Sequence, residues 1–386
     1  GVGGNVNRYD LEIENFAAPI PAVPILSPAS DTGMMSNDNI TNDTTPTFFI
    51  QDDLAEFDAM GIPIDQGTAA AGAEVILGFT NIATGVQTTV EANRVAAANS
   101  TFWSATPGVL AEGVYTVQAW TRIQDGVSRV GRSPLGEPML LTIDLTVFGD
   151  VPDLLPSSDT GMDNTDHVTN KMSPAFFGTA EPGSKVRILA DGGIIGEGIT
   201  TTDGRWEVTV EPLRDGEYVI TGEFEDLAGN VFVSAAMTPN LIIDTYEPNT
   251  PYLDLRTDDG HSPFDNITSD TTPDFEMIGN DTLDGGANPF SHDVKYRLYW
   301  RPGHAPGVAG TGEVLVYDSF AEFSDFTTAG TLTRTITTEL NNSLGTPFPD
   351  GFHNFKLEVE DRAGNISHDF LLNVELDQSP ETPRTE

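Results

Sequence analysis

Pairs of acidic residues recur along this 386-residue chain at a spacing that suits a hard cation. In the first copy the polar run SDTG at residues 30–33 is followed by a second carboxylate at Asp38. Calcium takes roughly six to eight oxygen ligands from carboxylates, amide and main-chain carbonyls and water. We therefore expect calcium ligands in the three copies of this loop, at Asp31, Asp38, Asp159, Asp166, Asp258 and Asp265.

A second set of candidate calcium ligands lies where one repeat ends and the next begins. Two repeats carry a loop of the form Asp-x-x-Gly-Asn, and the repeat before each of them closes with an apolar strand that ends in Asp. In a Greek-key sandwich this loop faces the pole at which the preceding module arrives, so the two groups should meet at the linker. The ligands expected there are Asp144, Asp244, Asp226, Asn230, Asp361 and Asn365.

A metal-free interpretation of the same loops stays open at this point. Asp and Asn favour turns because their short side chains bond to neighbouring main chain. Acidic loops can therefore be solvated turns that bind nothing. None of these loops fits the calcium loop of helix-loop-helix proteins.

The acidic loop belongs to a repeat that occurs three times. Thirteen residues after the glycine of each loop comes a proline, at Pro46, Pro174 and Pro273, without a gap. The distal half repeats less cleanly, and its Asp-x-x-Gly-Asn loop is degenerate in the first copy. The predicted organisation is an N-terminal strand and linker (1–22), three domains (23–149, 150–246 and 247–379, the first and third with insertions) and a tail (380–386).

The hydrophobic period inside a repeat is two, which indicates β-strands. Residues 185–190, 206–210 and 218–224 place every second side chain on one face, and Asp-Gly turns separate them. Roughly seven such strands in about 97 residues are typical of a two-sheet Greek-key sandwich. The predicted fold class is all-β.

Aromatic residues mark two structural positions in such a sandwich. Tyr115 and Tyr218 follow the glycine that precedes a long strand, which is the position of a tyrosine corner, and His353 takes that place in the third repeat. No carboxylate, Ser or Cys constellation accompanies His353, so we interpret it as structural. Trp103 and Trp206 are expected in the core.

Charge and composition exclude several classes of function. The chain has 18 Lys and Arg against 59 Asp and Glu, a formal net charge of −41 and a pI near 4.1. Nucleic-acid binding is excluded because no cationic surface exists to release counterions from a phosphate backbone. No apolar run approaches the roughly 18 residues of a spanning helix, so membrane insertion is not expected. The absence of Cys excludes disulfides and thiol nucleophiles.

Enzyme activity is not expected either. The sequence contains no G-x-S-x-G, no H-E-x-x-H and no phosphate-binding Gly loop. Counting alone leaves a glycosidase pair of Asp residues open, but the pairs occupy repeated turn positions and not one unique cleft.

The first residues do not follow the repeat. Tyr9, Leu11 and Ile13 alternate with acidic residues as in a strand, and the Pro-rich segment 17–24 indicates a stiff linker. A lone strand cannot satisfy its own backbone groups. We expect it to pair either with the sheet of a neighbouring copy, in a head-to-tail fibre, or with the first domain of its own chain.

Together these motifs resemble the tandem bacterial immunoglobulin-like (Ig-like) domains of very large secreted adhesins, which form long arrays with calcium between modules. The resemblance rests on the SDTG loop, on GTAEPGSKV at 178–186, on TDGRW at 202–206 and on the Asp-x-x-Gly-Asn loop. The first repeat departs from the pattern in its degenerate loop, and the third lacks the Trp. The resemblance implies three Ig-like sandwiches in line, preceded by an isolated strand.

The function implied is a structural and adhesive segment of an extracellular protein on the bacterial cell surface, stiffened by calcium at its junctions. Its partners would be further Ig-like modules or copies of itself, and an unknown surface receptor or glycan. The alternative is a carbohydrate- or protein-binding module that uses the insertions of domains 1 or 3. An exposed cluster of Tyr296, Tyr299, Trp300 and Tyr317 would indicate it, although their alternation favours core positions.

Overall fold

The computed structural model describes residues 20–51, 73–95, 102–125, 129–161, 163–259, 262–279, 294–302, 312–318, 330–335, 347–367 and 370–379. Within these ranges every helix or strand assigned is a β-strand, which confirms the all-β prediction. The N-terminal strand and most of the two insertions lie outside the described residues. The pairing of Tyr9 to Ile13 with a sheet therefore stays a prediction.

The chain divides into two compact units. Unit one comprises Gly1–Phe148, Gly183–Lys185 and Phe224–Phe232, and unit two comprises Gly149–Pro182, Val186–Glu223 and Val233–Glu386. This division gives two units, and the predicted count of three domains stays a prediction. The division does place each Asp-x-x-Gly-Asn loop in the same unit as the acidic loop and strand end of the preceding repeat.

The first stretch of strands forms two sheets, ordered β1-β3-β7-β6 and β2-β10-β8-β4-β5, with β9 paired to β8. Phe48 of one sheet contacts Phe79 of the other, with ring centroids 5.3 Å apart, so the sheets pack face to face around one core. The strands are β1 (Ile25–Leu26), β2 (Ile40–Thr41), β3 (Phe48–Gln51), β4 (Ala73–Asn81), β5 (Gln87–Glu91), β6 (Asn93–Arg94), β7 (Phe102–Ala105), β8 (Gly113–Asp125), β9 (Arg129–Arg132) and β10 (Met139–Ile143).

The second stretch pairs in the orders β11-β13-β16, β12-β20-β17 and β15-β14-β18-β19. Alternation is clear in β16, where Trp206 and Val208 are buried between exposed residues. The strands are β11 (Asp153–Leu154), β12 (Val168–Thr169), β13 (Ala175–Thr179), β14 (Lys185–Ala190), β15 (Gly193–Ile199), β16 (Arg205–Thr209), β17 (Gly216–Tyr218), β18 (Ile220–Glu225), β19 (Val231–Val233) and β20 (Leu241–Ile243).

The third stretch forms sheets ordered β21-β23-β26 and β22-β28-β27-β24-β25. The rings of Phe275 and Phe355, one from each sheet, lie 4.6 Å apart at the centre of its core. The strands are β21 (Tyr252–Leu255), β22 (Ile267–Thr268), β23 (Asp274–Gly279), β24 (Val294–Pro302), β25 (Val314–Asp318), β26 (Gly330–Thr335), β27 (Gly351–Asp361) and β28 (Phe370–Leu376).

A parallel strand pair in each stretch brings the end of the last strand beside the short strand that follows the acidic loop. β2 pairs in parallel with β10, β12 with β20 and β22 with β28. The Asp after each last strand then donates its main-chain N–H to a threonine carbonyl at about 3 Å. These bonds run from Asp144 to Thr41, from Asp244 to Thr169 and from Asp377 to Thr268.

The corner residues take the structural roles predicted for them. The hydroxyl of Tyr115 donates to the Ala111 carbonyl at 2.8 Å, and that of Tyr218 to the Arg214 carbonyl at 2.9 Å. Nε2 of His353 makes the equivalent bond to the Pro349 carbonyl at 2.7 Å, while its Nδ1 accepts from the Trp300 indole. Burial lowers the pKa of His353, although the bond to the Pro349 carbonyl opposes this shift.

Trp206 anchors the second stretch by packing over a glycine of the neighbouring strand. Gly178 lies opposite Trp206 across β13 and β16, and a Cβ on Gly178 would come within 2.7 Å of the indole ring. Trp206 is 4% exposed, which confirms its predicted core position. Gly178 has no side chain, so the indole ring can lie against the strand there.

Replacing Trp206 by Ala should lower the free energy of unfolding by about 3 to 5 kcal/mol, because it deletes a large buried aromatic side chain. Thermal melting of the full chain measures this change. The control Glu197→Gln alters an exposed carboxylate beside Arg187 and should cost no more than about 0.5 kcal/mol. Equal effects of the two substitutions would show that the register of β16 is wrong.

Candidate cation sites at the ends of the repeats

The first acidic loop buries the carboxylate of Asp31, partly buries that of Asp38, and leaves one oxygen of each without a hydrogen-bond donor. Oδ2 of Asp31 accepts the main-chain N–H of Asn39 at 3.4 Å, and Oδ1 of Asp38 accepts that of Ile40 at 3.0 Å. Asn39 has a φ of +62°, in the left-handed region, and this turns the chain between the two bonds. Oδ1 of Asp31 and Oδ2 of Asp38 remain buried without a partner.

The second and third acidic loops repeat this geometry. His167 and Asn266 both have a φ of +59° and donate their main-chain N–H to Asp159 and Asp258, at 3.4 and 3.0 Å. Oδ1 of each of these carboxylates is buried without a partner, as in Asp31. One donor-free carboxylate oxygen thus recurs at the same position in all three loops.

Burial without donors changes the acidity of these groups. The pKa of Asp31 is raised above its ordinary value, first by burial and further by the charge of Asp38. The pKa of Asp159 is raised to about 6, again first by burial and then by the charge of Asp166. Both shifts show that the fold disfavours the ionised loop when nothing neutralises it.

The Asp-x-x-Gly-Asn loop closes on itself and binds the end of the preceding strand. Asp226 accepts both the main-chain and the side-chain N–H of Asn230, at 2.8 and 2.7 Å. The Asn230 amide also donates to the Asp144 carbonyl at 2.9 Å, while its oxygen accepts from Asn42 at 3.3 Å. Since these bonds use the Asn230 side chain, the carboxylates of Asp144 and Asp226 are the better ligands, and their oxygens lie within 4.8 Å of each other.

The equivalent contacts recur at the second junction. Asn365 donates to the Asp361 carboxylate at 2.8 Å and to the Asp244 carbonyl at 2.9 Å. The methyl group of Ala363 packs against Val168 and Ile242 in a small apolar cluster. The sequence-predicted groups therefore lie together at each of these two junctions.

A threonine and a glycine of the acidic loop complete each junction. Thr32 donates its hydroxyl to the Ala228 carbonyl at 2.6 Å, and Thr160 donates to the Ala363 carbonyl at 2.6 Å. Gly33 is held so closely that an added Cβ would lie 2.0 Å from the Leu227 carbonyl oxygen. The repeated Thr-Gly pair is thus explained by direct contact with the Asp-x-x-Gly-Asn loop.

One charged contact was not foreseen from the sequence. Nε of Arg362 donates to Oδ2 of Asp166 at 2.7 Å, between residues 196 positions apart. Its only sequence signal is that Arg362 occupies a variable position of the Asp-x-x-Gly-Asn loop, where the other loop has Leu227.

The face-to-face sheets, the parallel pairing of the last strand and the corner bonds define an immunoglobulin-type β-sandwich. Residues 17–79 and 146–245 match the bacterial Ig-like domain family, which supports an arrangement of such domains in tandem. This family consists of non-catalytic domains. It confirms the family inferred from the repeated motifs.

Solved structures with which the chain aligns include modular β-proteins. The fibronectin(III)-like modules of Clostridium thermocellum CbhA share 11% identity over 56% of this chain and 92% of theirs, with a TM-score of 0.31. The FN1-FN3 domains of chicken CNTN1 share 9% over 93% and 99%, with a TM-score of 0.29. The BSP domain of a biofilm associated protein shares 9% over 96% and 68%, with a TM-score of 0.20. Likenesses at these TM-scores carry no argument about function.

No curated protein sequence matches the chain. Among the described residues, no helix has the length and apolar character needed to cross a membrane.

Asp159→Asn should stabilise the metal-free protein at neutral pH by about 1 to 2 kcal/mol. The folded pKa of about 6 lies above the ordinary value of 3.8, so the folded chain binds more protons than the unfolded chain between these values. The carboxylate's contribution to stability therefore falls as pH rises through this window, and the amide does not titrate. Urea unfolding in chelator at several pH values between 4 and 7 measures the difference.

The control for this experiment is Glu211→Gln, which changes an exposed carboxylate of the same stretch. Its effect on the free energy of unfolding should stay within about 0.5 kcal/mol over the same range. A constant difference between Asp159→Asn and the parent chain from pH 4 to 7 would contradict the raised pKa.

Proposed function

We propose that this chain is a structural and adhesive segment of a bacterial surface protein in which bound calcium stiffens the ends of tandem Ig-like modules. The observation that carries the proposal is the buried, donor-free carboxylate oxygen that recurs at Asp31, Asp159 and Asp258. An ionised carboxylate removed from water is costly unless it is paired or coordinates a metal. A hard divalent cation supplies that pairing.

Hard divalent cations such as calcium suit these sites better than zinc or copper does. The available ligands are carboxylate oxygens and main-chain carbonyls, with no Cys in the chain, and such oxygen sets favour calcium or magnesium over zinc or copper. In the first acidic loop Asp31 and Asp38 would bind the ion through their donor-free oxygens. At the first strand end Asp144 and Asp226 would do so through their carboxylates.

The expected affinity matches a protein outside the cell. Calcium sites of extracellular modules have dissociation constants of roughly 10⁻⁴ to 10⁻³ M, so calcium near one millimolar stabilises each site by up to about 1.4 kcal/mol. Bound calcium would also neutralise part of the net charge of −41, which opposes a compact chain. Stiffness that depends on extracellular calcium is the property a surface spacer requires.

The match to the bacterial Ig-like domain family, whose domains are non-catalytic, supports the structural and adhesive part of the proposal. In this proposal the partners are further Ig-like modules or copies of the chain, together with a surface receptor or glycan. The location is the bacterial cell surface.

The exposed aromatic cluster that would indicate a ligand-binding module is not found at the four residues named for it. Tyr296, Trp300 and Tyr317 are at most 7% exposed, and the ring of the half-buried Tyr299 lies under the Lys356 ammonium at 4.4 Å. The four residues do not form an exposed aromatic platform. Most insertion residues lie outside the described ranges. Among the described residues, the burial of these aromatic side chains favours the structural function.

Calcium at a few millimolar should raise the melting temperature of the chain by about 2 to 4 °C for each kcal/mol gained, and titration calorimetry should detect binding. The double variant Asp31→Asn/Asp38→Asn should lose one class of site and part of the thermal shift, because an amide supplies no charge to the ion. Sodium chloride at the same ionic strength serves as the control.

Two further measurements decide the result. Glu112→Gln alters an exposed carboxylate of the same stretch and should keep the full calcium response. If the parent chain binds no calcium by calorimetry and melts at the same temperature with calcium and with chelator, the calcium part of the proposal is wrong.

A further inference from the structure

The two junctions use the same main-chain contacts but differ in one side chain. In both, a threonine hydroxyl donates to an alanine carbonyl and an asparagine amide donates to the carbonyl of the strand-end Asp. The residue before that alanine is Leu227 at the first junction and Arg362 at the second. Because the surrounding contacts match, the effect of this difference can be located at single atoms.

Those atoms are the equivalent Oδ2 oxygens of the second carboxylate in each acidic loop, which is Asp38 in the first loop and Asp166 in the second. Oδ1 of Asp38 and Oδ1 of Asp166 accept the main-chain N–H two residues later, both at 3.0 Å. Oδ2 of Asp38 is then buried without a partner, whereas Oδ2 of Asp166 receives the Arg362 guanidinium at 2.7 Å. Arg362 therefore fills the position that stays donor-free in the first loop.

Burial makes this a strong contact. The side chains of Asp166 and Arg362 are 7% and 28% exposed, so solvent screens their attraction far less than it screens a surface pair. Leu227 offers no donor, and its methyl carbons point to Gly183, 3.7 Å from the position of an added Cβ there. Of the two equivalent carboxylates, both stay without a basic partner among the described residues in the first loop, whereas Arg362 neutralises that of Asp166 in the second. The additional carboxylate of the second loop, Asp163, is exposed and accepts from Thr165.

We infer that the Arg362 guanidinium occupies the place of a bound cation, so the first junction requires an external divalent ion and the second is closed by its own side chain. This inference rests on the proposed calcium function and states which junction calcium controls. Calcium affinity rises with the number of ligand charges that remain unneutralised. Calcium should therefore bind the first loop at least about tenfold more tightly than the second.

Hydrogen exchange read separately in residues 31–42 and 159–170 of the full chain tests the inference, with calcium chloride as the only added ligand. In the parent chain, calcium should slow exchange in the first loop by about tenfold or more and should change the second loop little. Arg362→Leu should make the second loop respond to calcium. Leu227→Arg should protect the first loop without calcium and abolish most of its response.

Two conservative variants separate charge from packing. Arg362→Lys keeps the positive charge and should leave the second loop insensitive to calcium, whereas Arg362→Met keeps the length without the charge and should behave as Arg362→Leu. Because calcium itself refills the site in Arg362→Leu and Arg362→Met, each of these variants should regain most of its lost protection at saturating calcium. A variant that stays unprotected at all calcium concentrations would contradict the equivalence of guanidinium and metal.

The outcomes distinguish this inference from the proposal beneath it. Equal calcium protection of both loops in the parent chain would overturn the assignment to Arg362 and leave the calcium function standing. Protection of neither loop, in the parent chain or in Arg362→Leu, would overturn both.

Discussion

Burial of Asp31 and Asp159 places an acidic oxygen where the fold supplies no donor, and the rest of each repeat end is arranged around that carboxylate. The main-chain N–H of the left-handed residue, Asn39 or His167, bonds to the other oxygen. The carboxylate oxygen without a donor can be stabilised by a proton, a metal ion or a basic side chain. The raised pKa of Asp159 and the Arg362 contact to Asp166 show two of these solutions in one loop.

The neutral contacts of the junction have a different task. Thr32 donates to the Ala228 carbonyl, Gly33 lies close to the Leu227 backbone, and Asn230 donates to the Asp144 main-chain carbonyl, and none of these three contacts involves a net charge. Such contacts define geometry and act under all ionic conditions. In the proposed function the carboxylates add a contribution to stability that depends on calcium and pH, so position and rigidity would be controlled by separate groups.

The third acidic loop shows how one substitution changes this division. Asp259 stands where Thr32 and Thr160 stand in the other copies, and a carboxylate cannot donate to a carbonyl. It accepts instead from Thr268 and from both donors of Ser269, and these bonds lower its pKa. The loop keeps its shape while losing the hydroxyl that joins the other two loops to a neighbouring loop.

The sequence by itself determined the all-β class, the corner positions of Tyr115 and Tyr218 and the buried place of Trp206, because strand period and turn spacing are local properties. It also selected the acidic residues that meet at the strand ends. Tertiary structure alone decided that the Asn230 amide is used as a hydrogen-bond donor and that Arg362 reaches Asp166. Such contacts join residues 86 and 196 positions apart, and the chemistry of a carboxylate depends on the donors and the burial that distant segments bring to it.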